Sequence, residues 1–198
     1  MTVALHRPMT AAEFLAWEER QELKWEFDGF QPVAMGETGV SPEVGCTDAH
    51  SAITGNLLTA LNIRLRGKRC RPRGPDMKVE TGGKYRYPDA LVTCTPVPPD
   101  TTVITEPVVI FEVLSKSTSR DDRTVKLLEY QSVPSVRRYV MLEQDQALVT
   151  VIARTGTDTG WSLELLRARD VLALPEIGVE LPVADLYADV EFAPDAAP

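Results

Sequence analysis

The sequence has few residues suited to soft-metal or nucleophilic chemistry. It holds three cysteines and two histidines in 198 residues. A structural zinc site needs four nitrogen or sulfur ligands, and the nearest approach, Cys46 with His50, offers two. A Ser–His or Cys–His nucleophile would have to use His6 or His50, and no nucleophile-elbow sequence is present. Isolated cysteines in odd number also predict reduced thiols in a cytoplasmic protein rather than a disulfide framework.

Long apolar runs and glycine-rich phosphate loops are lacking as well. No apolar stretch approaches the roughly 20 residues of a membrane span, and the N-terminal residues contain no apolar signal segment. Neither a P-loop nor a dinucleotide-binding glycine pattern occurs. Aromatic residues make up 7% of the chain, which disfavours the aromatic-lined cleft of a glycoside hydrolase that works with two carboxylates.

The residues that are present fit one globular domain. The chain is 43% hydrophobic and 25% charged, and its length is sufficient for a substantial core. Helical and strand-like segments follow one another without a repeat, a low-complexity tract or a linker. The sequence therefore predicts a single α/β domain over residues 1–198, with a core at about 9–192.

Capping and turn signals place the first elements. Thr10 and Glu13 form a capping box, which predicts a helix of about three turns. The Asp28-Gly29 dipeptide between two apolar segments predicts a β-hairpin. A second helix is predicted after an N-cap at Thr47 or Asp48, in DAHSAITGNLLTALNIRLR.

The second half of the chain shows one further helix among several strands. Strand patterns occur in MKVE and in YPDALVTCT, which opens with a proline. A helix is predicted for SRDDRTVKLLEYQSV. Three later segments, RRYVMLEQ, ALVTVIAR and WSLELLR, predict an antiparallel meander, and the tail predicts a short helical turn.

A carboxylate interrupts the most apolar strand. The run VVIFEVL, from Val108 to Leu114, is typical of a strand covered on both faces. A buried, ionised Glu112 needs a basic partner, backbone donors or a metal ion to compensate its lost solvation. A salt bridge at the strand end and a functional role both explain it. Asp89 lies one residue into the preceding strand, so both carboxylates can face one point if the two strands are neighbours.

A pair of close carboxylates favours a bound cation, because both cannot stay ionised without one. Mg²⁺ or Mn²⁺ suits such a site, since these ions prefer oxygen ligands from carboxylates, carbonyls, water and phosphate. A bound metal of this kind activates water and stabilises the charge of a reacting phosphate. The pair Asp89 and Glu112 therefore predicts metal-dependent phosphoester hydrolysis.

Two lysines follow the acidic strand. Lys116 lies in a segment that must turn before the next helix. Lys126 shares one face of that helix with Asp122 and Tyr130, at i, i+4 and i+8, and this face can point at Glu112 if the helix packs on the strand. Lys126 is thus a candidate for the electrostatic stabiliser of the reaction, and a surface Asp–Lys pair is the alternative.

These residues carry a resemblance to a known family. Pro88-Asp89 followed by Glu112-Val113-Leu114 resembles the PD-(D/E)XK signature of restriction-endonuclease-like nucleases. A wider set resembles the Uma-two family of restriction endonucleases. It comprises the Glu26-x-Asp28-Gly29 hairpin, the helix of His50, the run EVLSKSTSRDDRTVKLLEY and the ending LPEIGVELPVADLY. The resemblance covers residues 9 to 192.

The resemblance implies a fold and a reaction. The fold is a central mixed β-sheet flanked by helices, here with an N-terminal helix and hairpin and a C-terminal antiparallel meander. The reaction is Mg²⁺-dependent cleavage of DNA by an endonuclease, with Asp89 and Glu112 as metal ligands and the Val113 carbonyl as a third oxygen. The superfamily places its lysine where this chain has Leu114, so a lysine from elsewhere, Lys126, is expected to replace it.

Further residues are candidates for accessory roles. Glu26, presented by the first hairpin, is expected near the metal, although an ordinary exposed strand residue explains the pattern equally well. His50 follows the same helix face as Ile53 and Leu57, which favours a core histidine over a catalytic one. Tyr130 belongs to the family-like run.

A cluster of basic residues is the candidate for DNA contacts. The net charge of −8 is unfavourable for a nucleic-acid binder, but one short segment contains six basic residues and no acidic one. Phosphate contact and a solvated helix end both explain this basic segment. Its members are Arg64, Arg66, Lys68, Arg69, Arg71 and Arg73.

Two functions of different class remain at this stage. The first is a metal-dependent DNA endonuclease, and the second is an inactive nuclease-like module that binds nucleic acid or a protein partner. Cutting both strands of a duplex would need two sites, which makes a homodimer one option, although no residue indicates it.

Overall fold

The computed structural model describes residues 7–35, 47–114, 120–156 and 160–192, and only the backbone of residues 120–122. The α-helices are α1 (Ala11–Glu18), α2 (Asp48–Leu65), α3 (Arg120–Ser132) and α4 (Val183–Leu186), and a short 3₁₀ helix spans Pro175–Ile177. The strands are β1 (Trp25–Phe27), β2 (Pro32–Ala34), β3 (Arg71–Arg73), β4 (Lys78–Glu80), β5 (Tyr85–Arg86), β6 (Ala90–Thr93), β7 (Val103–Ile104), β8 (Pro107–Leu114), β9 (Arg138–Glu143), β10 (Leu148–Arg154), β11 (Trp161–Arg167), β12 (Val171–Leu174) and β13 (Val179–Pro182).

The predicted capping box and hairpin are both confirmed. The Thr10 hydroxyl accepts a hydrogen bond from the Glu13 N–H, and the Glu13 carboxylate accepts one from the Thr10 N–H. Strands β1 and β2 pair antiparallel. Gly29 between them has a φ of +97°, a conformation that glycine adopts without the steric cost of a Cβ.

The central sheet is mixed, as the sequence predicts. Its strand order is β11-β10-β9-β8-β6-β3, with β8 and β9 parallel and the other pairs antiparallel. Helix α3 is the crossover that parallel pairing requires between β8 and β9. The meander β9-β10-β11 is confirmed. A second sheet, in the order β2-β1-β5-β4-β7, carries the N-terminal hairpin.

Side chains of β8 alternate between two buried layers. Val109, Phe111 and Val113 lie in the cluster that contains the apolar residues of α2. Ile110 and Leu114 lie in the cluster that contains Tyr130 of α3. Since successive residues of a strand face opposite sides, Glu112 faces the α3 side.

One prediction about the cysteines is wrong. Cys70 and Cys94 form a disulfide rather than remaining reduced thiols. β3 pairs antiparallel with β6, with Arg71 opposite Thr93, so the cysteines one position further out also face each other. The 24 residues that separate them in sequence conceal this pairing.

The C-terminal segment contains more structure than the predicted helical turn. β12 and β13 form an additional antiparallel hairpin, and α4 follows it. Apolar residues of this hairpin and of α4 pack in the cluster with α2. Within the ranges that the structure describes, no helix combines the length and the apolar character needed to cross a membrane.

Candidate active site

The two predicted carboxylates lie on neighbouring strands. β6 and β8 pair antiparallel, with Ala90 opposite Phe111, so Asp89 stands opposite Glu112. One detail of the prediction is wrong, because Asp89 immediately precedes β6 rather than lying inside it. Asp89 is therefore at the strand end, where backbone is less restricted, and Glu112 is inside the strand.

Glu112 is buried in the middle of β8, with 7% of its surface exposed. Its Oε1 accepts a hydrogen bond from the Tyr130 hydroxyl at 2.9 Å and lies 3.7 Å from the Lys126 Nζ. Burial raises the pKa of Glu112 to about 7; Lys126 opposes this rise, and the nearby Asp89 and Glu26 reinforce it. The carboxyl group is thus held where a further cation would favour its ionised form.

Asp89 is held by donors on both of its oxygens. Oδ2 accepts a hydrogen bond of 2.7 Å from the Val113 N–H. Oδ1 lies 3.2 Å from Nε2 of His50. This hydrogen bond to Asp89 raises the pKa of His50; burial lowers it, and the charges of Asp89 and Glu112 add to the rise.

His50 therefore belongs to the site, and the interpretation as a core histidine is wrong. It lies in the first turn of α2, where Thr47 caps its N–H, and this turn points toward the start of β6. Its Nδ1 is buried and has no hydrogen-bond partner among the described residues. The helix-face pattern gave the wrong prediction for His50 because this residue lies at the end of the apolar stripe of α2, where the sheet also ends.

Lys126 lies between two carboxylates. Its Nζ is 3.7 Å from Oε1 of Glu112 and 3.7 Å from Oε1 of Glu26. Glu26 is 7% exposed, so it is not the ordinary exposed strand residue of the alternative interpretation. Lys116 lies outside the described residues, as does the side chain of Asp122.

Two residues of the site's surroundings escaped the sequence analysis. Arg86 donates to Glu26 at 2.8 Å and to Glu129 at 2.6 and 2.9 Å. Arg86 and Glu129 are both buried. The one available signal was an arginine in the strand-like YRYPD, three positions before Asp89.

The basic segment lies along the end of α2 and the edge strand β3, and several of its side chains bind to backbone carbonyls. Arg71 donates to the carbonyls of Lys68 and Cys70, Lys68 to that of Gly178 and Arg69 to that of Cys94. The remaining three differ in environment. Arg66 is exposed, Arg64 lies 3.6 Å from Asp185, and Arg73 stands opposite Leu91 near the start of β6.

The donor set fits a hard divalent cation and does not fit zinc. Within the described ranges, no group of three or more His, Cys, Asp and Glu side chains is arranged for a metal ion. Two carboxylates, Asp89 and Glu112, meet at the strand ends, with the backbone of Val113 beside them. Mg²⁺ takes one or two protein carboxylates and completes its shell with carbonyl, water and phosphate oxygens.

Comparison with a solved structure supports the fold. The fold is restriction-endonuclease-like: a crystal structure from Anabaena variabilis, titled as a "putative nuclease belonging to DUF820", superposes with a TM-score of 0.67 at 19% identity. The match covers 91% of this chain and 98% of the other.

The family follows from the sequence comparisons. Residues 11–184 match the Uma2 model, described as "Putative restriction endonuclease", and the chain belongs to this Uma-two family. Two proteins of Synechocystis sp., slr1290 and sll1609, are similar. The first is 31% identical over 187 residues, which is 93% of this chain and 94% of the relative. The second is 30% identical over 168 residues, which is 82% and 90% of the two chains. The family match supports a nuclease function in general terms.

Proposed function

We propose that this protein is a Mg²⁺- or Mn²⁺-dependent endonuclease that hydrolyses phosphodiester bonds of DNA. The observation that carries the proposal is that Asp89 stands opposite Glu112 in the β6–β8 pair, while the Lys126 ammonium of α3 lies 3.7 Å from Glu112. Family membership supports the reaction class.

Each side chain would have a definite task. Asp89 and Glu112 would hold the metal ion, with the Val113 carbonyl as a further ligand. The bound ion would act as a Lewis acid and lower the pKa of water. His50 and the Val113 N–H fix the orientation of Asp89, and Tyr130 fixes one oxygen of Glu112, so less reorganisation is needed on binding.

Lys126 would provide the positive charge that the superfamily signature places two residues after the glutamate. That position is Leu114, which is buried in the apolar cluster with Tyr130. From α3, the Lys126 ammonium can orient the attacking water and stabilise negative charge on the phosphate oxygens. Hydrolysis adds the water across the P–O bond and leaves a phosphate on one new end and a hydroxyl on the other.

The proposal is tested by cleavage of plasmid DNA with and without divalent metal. We expect cleavage in Mg²⁺ or Mn²⁺ that EDTA abolishes, and no cleavage by Asp89→Asn or Glu112→Gln. Both variants should be as stable as the parent in metal-free buffer, or more stable, because each removes one of two repelling carboxylates. Asp170→Asn, a change between β11 and β12, is the control and should cut as the parent does.

Cleavage by Asp89→Asn at the parental rate would contradict the metal site. DNA binding by the parent without cleavage in either metal would instead favour the inactive nuclease-like module.

A further inference from the structure

A buried ion-pair relay joins α3 to the candidate active site through residues that do not touch the metal-binding carboxylates. We define the Arg86 relay as Glu129 of α3, Arg86 of β5 and Glu26 of β1. Their exposed fractions are 7%, 5% and 7%. Charges this deeply buried persist only when they are paired and hydrogen-bonded.

Arg86 is fixed by Glu129 through a two-pronged contact. Its Nε donates to Oε2 of Glu129 at 2.6 Å, and its Nη2 donates to Oε1 at 2.9 Å. Lys84 adds a third hydrogen bond to Oε1 at 2.9 Å. Paired hydrogen bonds of this kind fix the plane of the guanidinium as well as its position, so Arg86 has one defined orientation.

In that orientation, the third guanidinium nitrogen, Nη1, points at Glu26. Nη1 of Arg86 donates to Oε2 of Glu26 at 2.8 Å, while Oε1 of Glu26 accepts from the Tyr87 N–H at 3.2 Å. The same Oε1 lies 3.7 Å from Nζ of Lys126. Each oxygen of Glu26 therefore has a donor other than Lys126.

The charges explain why this arrangement matters to Lys126. Glu26 and Glu112 lie at equal distances from the ammonium, 3.7 Å each, and would compete for it. Arg86 compensates the charge of Glu26 and weakens its attraction for Lys126. Without Arg86, an uncompensated buried Glu26 would draw Lys126 into a close pair and away from Glu112.

We propose that Arg86 is a positioning residue, which acts through Glu26 to keep the Lys126 ammonium beside Glu112. The inference rests on the proposed role of Lys126 in DNA cleavage. Glu129 and Lys126 are three residues apart on α3 and so lie on one side of the helix. The relay thus links the position of the helix to the position of its lysine.

The test removes the Arg86–Glu129 ion pair and compares this variant with one that lacks a different buried ion pair. Arg86→Met/Glu129→Met removes one cation and one carboxylate together, so the net charge is kept and Glu26 is the relay carboxylate that loses its arginine. Arg138→Met/Glu176→Met is the matched control, since Arg138 and Glu176 also form a two-pronged, largely buried pair, at 2.9 and 3.2 Å. That pair joins β9 to the 3₁₀ helix and contacts none of the relay residues.

Single-turnover cleavage at saturating DNA, together with the dissociation constant for DNA, separates positioning from stability. We expect the relay variant to cleave about 10²-fold more slowly, the scale of a misplaced catalytic group, with unchanged DNA affinity. The control variant should cleave at the parental rate. Arg86→Lys keeps a positive charge near Glu26 but lacks the paired hydrogen bonds of the guanidinium, so it should recover part of the lost rate. If the double variant does not fold, Arg86→Lys replaces it in this comparison.

A crystal structure of the relay variant, or of Arg86→Lys, gives a second result that does not depend on activity. We expect Nζ of Lys126 to approach Glu26 and to lie more than about 4 Å from Glu112, beyond an ion pair. Lys126 unmoved, with equal cleavage rates in relay and control variants, would overturn the proposal. If the parent does not cut DNA at all, the proposed function fails, and the position of Lys126 still decides whether the relay exists.

Discussion

At the scale of single residues, the site depends on how one ammonium is shared. Lys126 lies 3.7 Å from Glu112 and from Glu26, longer than a direct charge-assisted hydrogen bond of about 2.7–2.9 Å. The Tyr130 hydroxyl donates a direct hydrogen bond to Glu112 and fixes one oxygen of that carboxylate.

Replacement of the two lysines separates their roles. Lys126→Ala should lower single-turnover cleavage by at least about 10²-fold, the cost of losing one electrostatic stabiliser, while metal binding survives. Lys116→Ala, which changes the lysine next to the acidic strand in sequence, should reduce DNA affinity and affect the rate far less. Rates in the opposite order would assign the catalytic role to Lys116.

At the scale of elements, the basic segment stabilises the end of a helix as well as offering charge. Arg71 binds to carbonyls that follow α2, a favourable place for a cation because the C-terminal end of a helix carries partial negative charge. Arg66, Lys68 and Arg69 have exposed side chains, and we expect them to contact phosphate. β3 runs antiparallel to β6, so the segment continues toward the start of the strand at Asp89.

The salt dependence of DNA binding measures this role. Replacement of Arg66, Lys68 and Arg69 by glutamine should weaken binding equally for all sequences, because phosphate contacts carry no base information. The slope of log K against log salt should fall by about 0.9 for each lost contact with duplex DNA.

A control with the same change in net charge replaces three exposed arginines elsewhere, Arg20, Arg167 and Arg169. The slope of this control should stay at the parental value. If both triple variants change the slope equally, only the overall charge matters and the segment has no specific part in binding.

At the scale of the whole molecule, a covalent link holds the edge of the central sheet. The Cys70–Cys94 disulfide joins the residue before β3 to the residue after β6 and so links the edge strand β3 to its neighbour. Closing a loop of 24 residues restricts the unfolded chain and is worth about 3 kcal/mol. Of the candidate active-site residues, Asp89 precedes β6 at the end opposite Cys94, and Glu112, His50 and Lys126 lie on β8, α2 and α3, which the bond does not join.

Reduction of the disulfide should lower the free energy of unfolding by about 3 kcal/mol, measured by urea denaturation with and without dithiothreitol. The folded, unreduced protein should titrate with one free thiol, that of Cys46, and the reduced protein with three. Cys46→Ser is the control, and its stability should respond to dithiothreitol as the parent's does. Three free thiols in the unreduced protein would contradict the disulfide.

The amino-acid sequence by itself determined the features that depend on neighbouring residues. The capping box at Thr10, the Asp28-Gly29 turn and the helix after Thr47 are set by local hydrogen bonds and backbone preferences, and all three are present in the structure. The apolar run around Glu112 likewise marked a buried strand, since burial on both faces requires continuous apolar residues. The i, i+4, i+8 spacing of Asp122, Lys126 and Tyr130 predicted that Lys126 faces Glu112, and the structure places the two groups 3.7 Å apart.

Only the tertiary structure decided the features that depend on pairing between distant segments. The β6–β8 register set Asp89 against Glu112 and brought His50 to the same point. The β3–β6 register joined Cys70 to Cys94, and the packing of α3 on β5 and β1 formed the Arg86 relay. None of these follows from a local pattern, because each pairing joins residues from 23 to 60 positions apart. Strand register and helix packing are fixed by the burial of the whole core, and the core is a property of the complete chain.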